Sequence, residues 1–240
     1  MSSPQGRFVD GAAAVNGRVL KKASAWGKHL FHHYEGGRVV HVHLGLYGTF
    51  SEVEVPMPLP VGQVRMRMVG TEFGTDLRGP TVCEVIDEPE IADVVAKLGP
   101  DPLRRDADGS LAWTRIAKSR RPIGALLMDQ TVIAGIGNVY RNELLFRHRI
   151  DPYRPGMMIG ADEFDAMWTD LVELLKVGFR RGKIIVVAPE HDIGAPSYAP
   201  GRPRTYVYRR TGDPCRFCGT TVLTAVLEGR NVFWCPNCQR

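Results

Sequence analysis

Four cysteines crowd the last 26 residues of this 240-residue chain, as Cys215-Arg216-Phe217-Cys218 and Cys235-Pro236-Asn237-Cys238, with 16 residues between the pairs. Four thiolates at that spacing suit a tetrahedral zinc ion, and each CxxC makes a tight turn that offers two sulfurs to one metal. Sulfur then fills every coordination position, so the ion is structural and not hydrolytic. Residues 222–227 and 231–234 predict two strands around Glu228, Gly229 and Arg230. So short a tail buries little core, and metal binding must supply most of its folding free energy. The same residues could also be four reduced, unliganded cysteines, or a redox pair, although a redox pair has no use for a second CxxC. A disulfide framework would spread its cysteines and accompany secretion, and residues 1–7 show no charged-then-apolar leader. Cys83 stands alone and reads as a small buried side chain.

A second constellation lies in the middle of the chain. Residues 123–130 predict one helix and residues 139–146 another, joined by a turn that holds Gly135 and Gly137. Two helices joined through glycines make a helix–turn–helix-like unit. Both glycines are expected to permit positive φ and a close backbone approach. The first amides of the second helix have no partner within it and stand at its positive end, which suits a phosphate. An ordinary helical hairpin, with its glycines serving only packing, is the other reading. Charge favours an anion. The net charge is +5, and residues 115–150 carry seven lysines and arginines against Asp129 and Glu143. Residues 202–240 carry seven arginines against Asp213 and Glu228. Two basic segments on a near-neutral background point to a polyanionic partner, or to two solvated basic faces.

The elements that must position these residues change type along the chain. The first hundred residues read as β. Residues 37–44 are rich in β-branched side chains, and Val64-Arg65-Met66-Arg67-Met68 alternates apolar and basic with period two. The proline-rich run 56–62 between them cannot hold a ladder and reads as a loop. Strands at this spacing suggest a sandwich or barrel. Residues 98–103 form a turn-rich break, after which the pattern becomes helical. Over 162–181, Phe164, Met167, Trp168, Leu171, Leu174 and Leu175 recur at helical spacing, with Asp162 and Glu163 at the start and Gly182 at the end. Residues 188–204, rich in proline, glycine and alanine, read as a mobile loop. No stretch approaches the ~18 consecutive apolar residues of a membrane span. The expectation is a cytoplasmic protein with no membrane partner.

The run Leu127-Met128-Asp129-Gln130-Thr131-Val132-Ile133-Ala134-Gly135-Ile136-Gly137-Asn138-Val139-Tyr140-Arg141-Asn142-Glu143-Leu144-Leu145-Phe146, followed by the four-cysteine tail that ends in Gln239, resembles the formamidopyrimidine-DNA glycosylase/endonuclease VIII family. Trp26-Gly27-Lys28-His29-Leu30 and His43-Leu44-Gly45-Leu46-Tyr47-Gly48 resemble it too, and the likeness is closer to the endonuclease VIII branch. The resemblance spans nearly the whole chain. It implies an α+β multidomain fold: an N-terminal β-sandwich over 1–105, a helical domain with a helix–two-turn–helix over 106–205, and a zinc ribbon over 206–240. It implies removal of oxidised bases from DNA, with the nucleotide everted, and cleavage of the abasic site by β,δ-elimination. By the same resemblance Lys28 contacts a phosphate near the lesion and supports catalysis. Gly137 and Asn138 bind the backbone at the helix–two-turn–helix, and Arg230 grips phosphates from the ribbon hairpin. Gly45, Leu46 and Tyr47 form the loop that fills the void left by the extruded base. Cys215, Cys218, Cys235 and Cys238 hold one zinc ion. Read singly, Lys28 is a surface lysine, Arg230 a turn arginine, and Leu46 and Tyr47 strand core residues.

Family members begin Met-Pro-Glu-Gly, where the freed proline amine attacks C1′ and the glutamate acts as general acid. This chain begins Met1-Ser2-Ser3-Pro4 and holds neither residue there. The expectation is a truncated sandwich without its first helix, inactive or nearly so. Either Met1 is an internal codon of an ordinary enzyme, or the short chain is real and binds DNA without cutting it. The alternative function is a non-catalytic zinc protein that binds damaged or abasic DNA; a zinc-ribbon regulator of transcription stands third. The expected partner is damaged DNA, bound by a monomer associated with the nucleoid.

Overall fold

The computed structural model describes residues 1–191 and 205–240, so most of the expected loop over 188–204 lies outside the described residues. The chain divides into two compact units, Met1–Lys97 and Leu98–Arg240. The first contains helix α1 (Val9–Val15), strands β1 (Leu20–Trp26), β2 (His29–Tyr34), β3 (Arg38–His43), β4 (Thr49–Glu54), β5 (Val64–Val69), β6 (Phe73–Arg78) and β7 (Val82–Asp87), and helix α2 (Glu90–Val95). The strands form two antiparallel sheets, ordered β1-β2-β3-β7 and β4-β6-β5.

The two sheets share one core. Tyr34, Val40 and Val42 from the first meet Met66 and Leu77 from the second, and Phe8, Ala12 and Val15 close one side. This is the sandwich that the alternation in β5 predicts: Val64 and Met66 are buried, while Arg65 and Arg67 are half-buried. The opposite face of the first sheet is covered in part. Phe31, Val39 and Ile86 pack there against Trp26 and against Ile91 and Val94 of α2. The two helices are departures from the all-β reading. In α1 an alanine-rich run has high helix propensity, and in α2 Glu90 and Asp93 place acidic charge in the first turn. Cys83 is half-buried rather than buried, and desolvation pushes its thiol up to about 11.

A buried carboxylate ties the second sheet together. Asp76, only 4% exposed, accepts from Arg67 Nε at 2.7 Å and Nη2 at 2.8 Å, and from Arg78 Nη2 at 2.9 Å. The Arg67 guanidinium holds Asp76 below the usual carboxylate range.

The second unit holds helices α3 (Gly109–Ile116), α4 (Ile123–Leu126), α5 (Asn138–Arg147) and α6 (Ala161–Arg181), and a hairpin of β8 (Leu223–Leu227) and β9 (Arg230–Trp234). Helix α6 matches its periodicity: Phe164, Met167, Leu171, Leu174 and Leu175 are buried, and it ends at Gly182 in the left-handed region, φ +61°. Helix α4 stops four residues short of the expected 123–130. Side chains take over from the helical ladder there: Asp129 Oδ1 accepts from Thr131 N, while Gln130 donates to Met128 O and Ile136 O and accepts from Gly135 N.

Replacing Asp76 by alanine leaves two arginines facing a buried gap, which costs about 3 kcal/mol. Hydrogen exchange of the β5 and β6 amides should then accelerate on the order of a hundredfold; unchanged protection would rule out this role.

Candidate nucleic-acid interface and zinc centre

The four Sγ atoms of Cys215, Cys218, Cys235 and Cys238 all lie within 4.8 Å of one another. Cys215 and Cys238 are 3.9 Å apart, and Cys218 lies 3.4 Å from both Cys235 and Cys238. Ligands about 2.3 Å from a tetrahedral zinc stand about 3.8 Å apart, so the sulfur cage fits that ion. Gln239 braces the second pair: its Oε1 accepts from Cys235 N at 2.9 Å, and its Nε2 donates to Ile150 O at 2.9 Å. The hairpin turns on Glu228 and Gly229, both at positive φ (46° and 74°), and Leu227 pairs with Arg230 across it. Two such residues form the turn type that suits the strand twist.

The hairpin is fastened to α5. Asn142 Oδ1 accepts from Phe233 N at 2.7 Å. Arg141 donates from Nη2 to Asn231 O at 2.8 Å and also to Asn138 Oδ1. Asn138 Nδ2 donates to the same Asn231 carbonyl at 3.0 Å. The start of α5 and the start of β9 therefore form one polar surface, which brings Gly137, Asn138 and Arg230 together. Beside it opens a cavity of about 270 Å³ lined by Arg121, Ala125, Met128, Asp129, Arg141, Leu227, Glu228 and Arg230. Arg141 is fully buried, and desolvation, helped by Arg230, pushes its guanidinium down to about 10. Arg121 spans Asp129 and Glu228 at 2.8 and 2.7 Å, which keeps both carboxylates neutralised beside the cationic groups.

Gly135 sits at φ +90°, as the turn requires, but Gly137 does not need positive φ. It is the N-cap of α5 in extended conformation, φ −111°, and a Cβ added there would meet nothing within 4 Å. The chain's own packing places no demand for glycine at this position. With no side chain at the N-cap, α5 has no side-chain cap.

The remaining expected site residues lie in the first unit. Lys28 occupies the turn from β1 to β2, where Gly27 has φ +56°. His29 follows it and pairs across the sheet with His43, so Lys28 and the segment after β3 stand at one sheet end. There the backbone turns at Gly45, φ +68°, where a Cβ would lie 1.8 Å from Thr81 Oγ1. The Gly45 amide donates to His43 Nδ1 at 3.1 Å. Leu46 and Tyr47 are not strand core residues: they are 58% and 81% exposed.

The buried polar trio Arg141, Asn142 and Glu143 was not anticipated as a site feature. Its signal in the sequence was three successive polar residues in a helix that is otherwise buried.

The fold is that of a DNA glycosylase. It superposes on MutM in complex with carbocyclic 8-oxo-G-containing DNA with a TM-score of 0.81 at 22% identity, over 96% of this chain and 85% of that one. It superposes on Lactococcus lactis Fpg in complex with abasic-site DNA with a TM-score of 0.79, also at 22% identity, over 93% and 83%. The formamidopyrimidine-DNA glycosylase N-terminal domain matches residues 3–81, its H2TH domain matches 98–189, and the zinc finger found in FPG and IleRS matches 212–240. Endonuclease 8 1 of Mycobacterium tuberculosis H37Rv is 76% identical over 243 aligned residues, covering all of this chain and 91% of the relative. Formamidopyrimidine-DNA glycosylase of Prochlorococcus marinus is 34% identical over 83% of this chain and 70% of that protein. The chain belongs to the formamidopyrimidine-DNA glycosylase/endonuclease VIII family, a family of DNA glycosylases and abasic-site lyases.

Serine at Cys235 removes one of four thiolates from a domain that depends on its metal. The expected outcome is loss of zinc and of hydrogen-exchange protection across β8 and β9; full zinc by elemental analysis would contradict the four-sulfur assignment.

Proposed function

We propose that this protein acts in base-excision repair, removing an oxidised base from DNA and cleaving the abasic site by β,δ-elimination. The observation that carries the reading is Gly137. A glycine that neither its φ nor its surroundings require, at the uncapped start of a helix and beside Asn138 and Arg230, leaves space for a ligand backbone to approach. In this reading the α5 amides and Asn138 take a phosphate, and Arg230 takes a neighbouring one. Zinc, when bound, holds the hairpin that presents Arg230. Lys28 contacts a further phosphate by the lesion. Leu46 and Tyr47, whose apolar side chains stand in water, fill the gap left by the everted nucleotide, which offsets their exposure.

Members of the family use an N-terminal proline amine as nucleophile and the following glutamate as acid. A second reading is a zinc protein that grips damaged or abasic DNA and performs no chemistry of its own; the polar surface at the start of α5 serves it equally. We place it as a monomer, cytoplasmic and associated with the nucleoid.

The discriminating experiment is borohydride trapping on abasic-site duplex, with the 240-residue chain and with a form extended upstream in frame to a Met-Pro-Glu start. Both forms should bind abasic duplex in preference to intact duplex, and trapping of either form supports the lyase reading. Trapping by neither, with binding kept, favours the binder. Absence of lesion preference in both would end the repair reading. Arg230→Ala should weaken binding about tenfold and lower the slope of log Kd against log salt by about 1. An unchanged salt slope would remove Arg230 from the interface.

A further inference from the structure

Five of the chain's seven histidines lie on β2 and β3, and two of them form a chain with a carboxylate from β7. His41 Nδ1 stands 2.9 Å from Glu84 Oε1, and His41 Nε2 stands 2.8 Å from His29 Nδ1. The two rings lie within 21° of parallel, with centroids 5.1 Å apart. The polarity of this chain is fixed by its acidic end. A carboxylate accepts, so His41 Nδ1 carries a proton and donates to Glu84. Nε2 of His41 is then the acceptor, and His29 Nδ1 donates to it. His29 Nε2 is left with its lone pair as the open end of the relay.

The neighbours of that nitrogen are cationic or neutral. Lys28 precedes His29 in the turn. His43 pairs opposite on β3, its ring 4.8 Å away, with Nδ1 engaged by the Gly45 amide and Nε2 therefore protonated. Trp26 of β1, which pairs with His29 from the other side, does not titrate. The one carboxylate in the group, Glu84, is held at the far end behind His41, whose side chain is 4% exposed. An anion is the ligand that this arrangement favours, and a proton on His29 Nε2 would add a charged donor to it.

We propose that Glu84, His41 and His29 form a proton relay that makes His29 a phosphate contact beside Lys28, His29 Nε2 taking a proton from solvent as DNA binds. The proposal rests on the DNA-binding reading above. Without DNA, burial together with His43 and His41 holds His29 down at about 4, so the ring is neutral near pH 7. A phosphate within hydrogen-bond reach raises that value, and Glu84 stabilises the charge through His41. Between the free and bound pKa values, binding takes up a proton. Affinity therefore rises as pH falls through the bound pKa and levels off below about 4. The relay makes the grip on DNA respond to pH through a residue that is remote from α5 in the sequence.

The test is the pH dependence of Kd for a duplex carrying a stable abasic analogue, at fixed salt from pH 8.5 to 5.5. It is paired with calorimetry in two buffers of different ionisation enthalpy, which counts protons. The native chain should take up a fraction of a proton approaching one, and should tighten by up to about tenfold per pH unit below the bound pKa, the limit for a single site. His29→Gln should abolish the uptake and flatten the slope. Glu84→Gln, at a half-exposed position that the fold tolerates, should reduce both. Glu88→Gln, which removes the partner of His33 instead, should leave both as in the native chain. Equal proton uptake in the native chain and His29→Gln would overturn the proposal, as would binding that is independent of pH. Lesion preference without proton uptake defeats the relay alone, whereas loss of lesion preference at every pH defeats the repair reading itself.

Discussion

The carboxylate of Glu143 accepts hydrogen bonds from three successive backbone amides, those of Tyr206, Val207 and Tyr208, at 2.6, 2.9 and 2.8 Å. It is fully buried. Burial pushes its pKa up, against the three amides and the nearby Arg210. A buried charge is costly unless hydrogen-bonded, and the amides of an irregular segment are equally costly unless paired. Each side of this contact satisfies the other. It fixes the chain that enters the zinc ribbon onto the middle of α5, two residues from Arg141 and five from Asn138. Arg210 continues the fastening, donating to Tyr206 O at 2.8 Å and Pro214 O at 2.9 Å.

Polar ties dominate this junction because the ribbon is too small to dock by apolar burial. Its own core comprises Cys215, Cys235 and Cys238 with Val222 and Phe233, joined by Phe146, Val187, Tyr206 and Val207. Hydrogen bonds from Asn142 and Arg141 then set the register of β9 against α5, which a greasy contact would leave free to slide. The consequence is geometric. Asn138 from the helix and Arg230 from the hairpin are 92 positions apart in the sequence, yet they are held by one network that runs through the Asn231 carbonyl. Zinc acts on the same network at a distance, since the metal holds the hairpin that carries Asn231.

The first unit uses a different device. Its sheet has apolar residues on one face and, on part of the other, a row of histidines in which the ring of each β3 histidine meets one on β2. Antiparallel pairing places His29 against His43 and Phe31 against His41, and β3 against β7 places His41 against Glu84. Register alone assembles the relay, because side chains of paired residues share a face. The same register puts Lys28 and the turn at Gly45 at one sheet end.

The zinc ligands, the course of α6, the alternation in β5 and the glycine turn before α5 were legible in the sequence, because each depends on spacing along a few neighbouring residues. Periodicity overran α4, where the side chains of Asp129 and Gln130 capture the backbone, and it passed over α1 and α2, which are each less than two turns long. The glycine at 137 was legible as important but not for its reason: its φ is ordinary, and only the empty space around it shows that no internal contact demands it. Nothing in local spacing joins Arg141, Asn142 and Glu143, or the histidines on β2 and β3, to the groups they bond. Several of their partners lie far off in the sequence, from Ser24, 9 positions from His33, to Phe233, 91 positions from Asn142. Sequence by itself determined which local turns, helices and metal ligands form, since these are decided by backbone preference and short spacing. Only the tertiary structure decided which polar groups are buried together, because burial turns a weak contact in water into an obligatory one, and it is set by packing between segments that the sequence keeps apart.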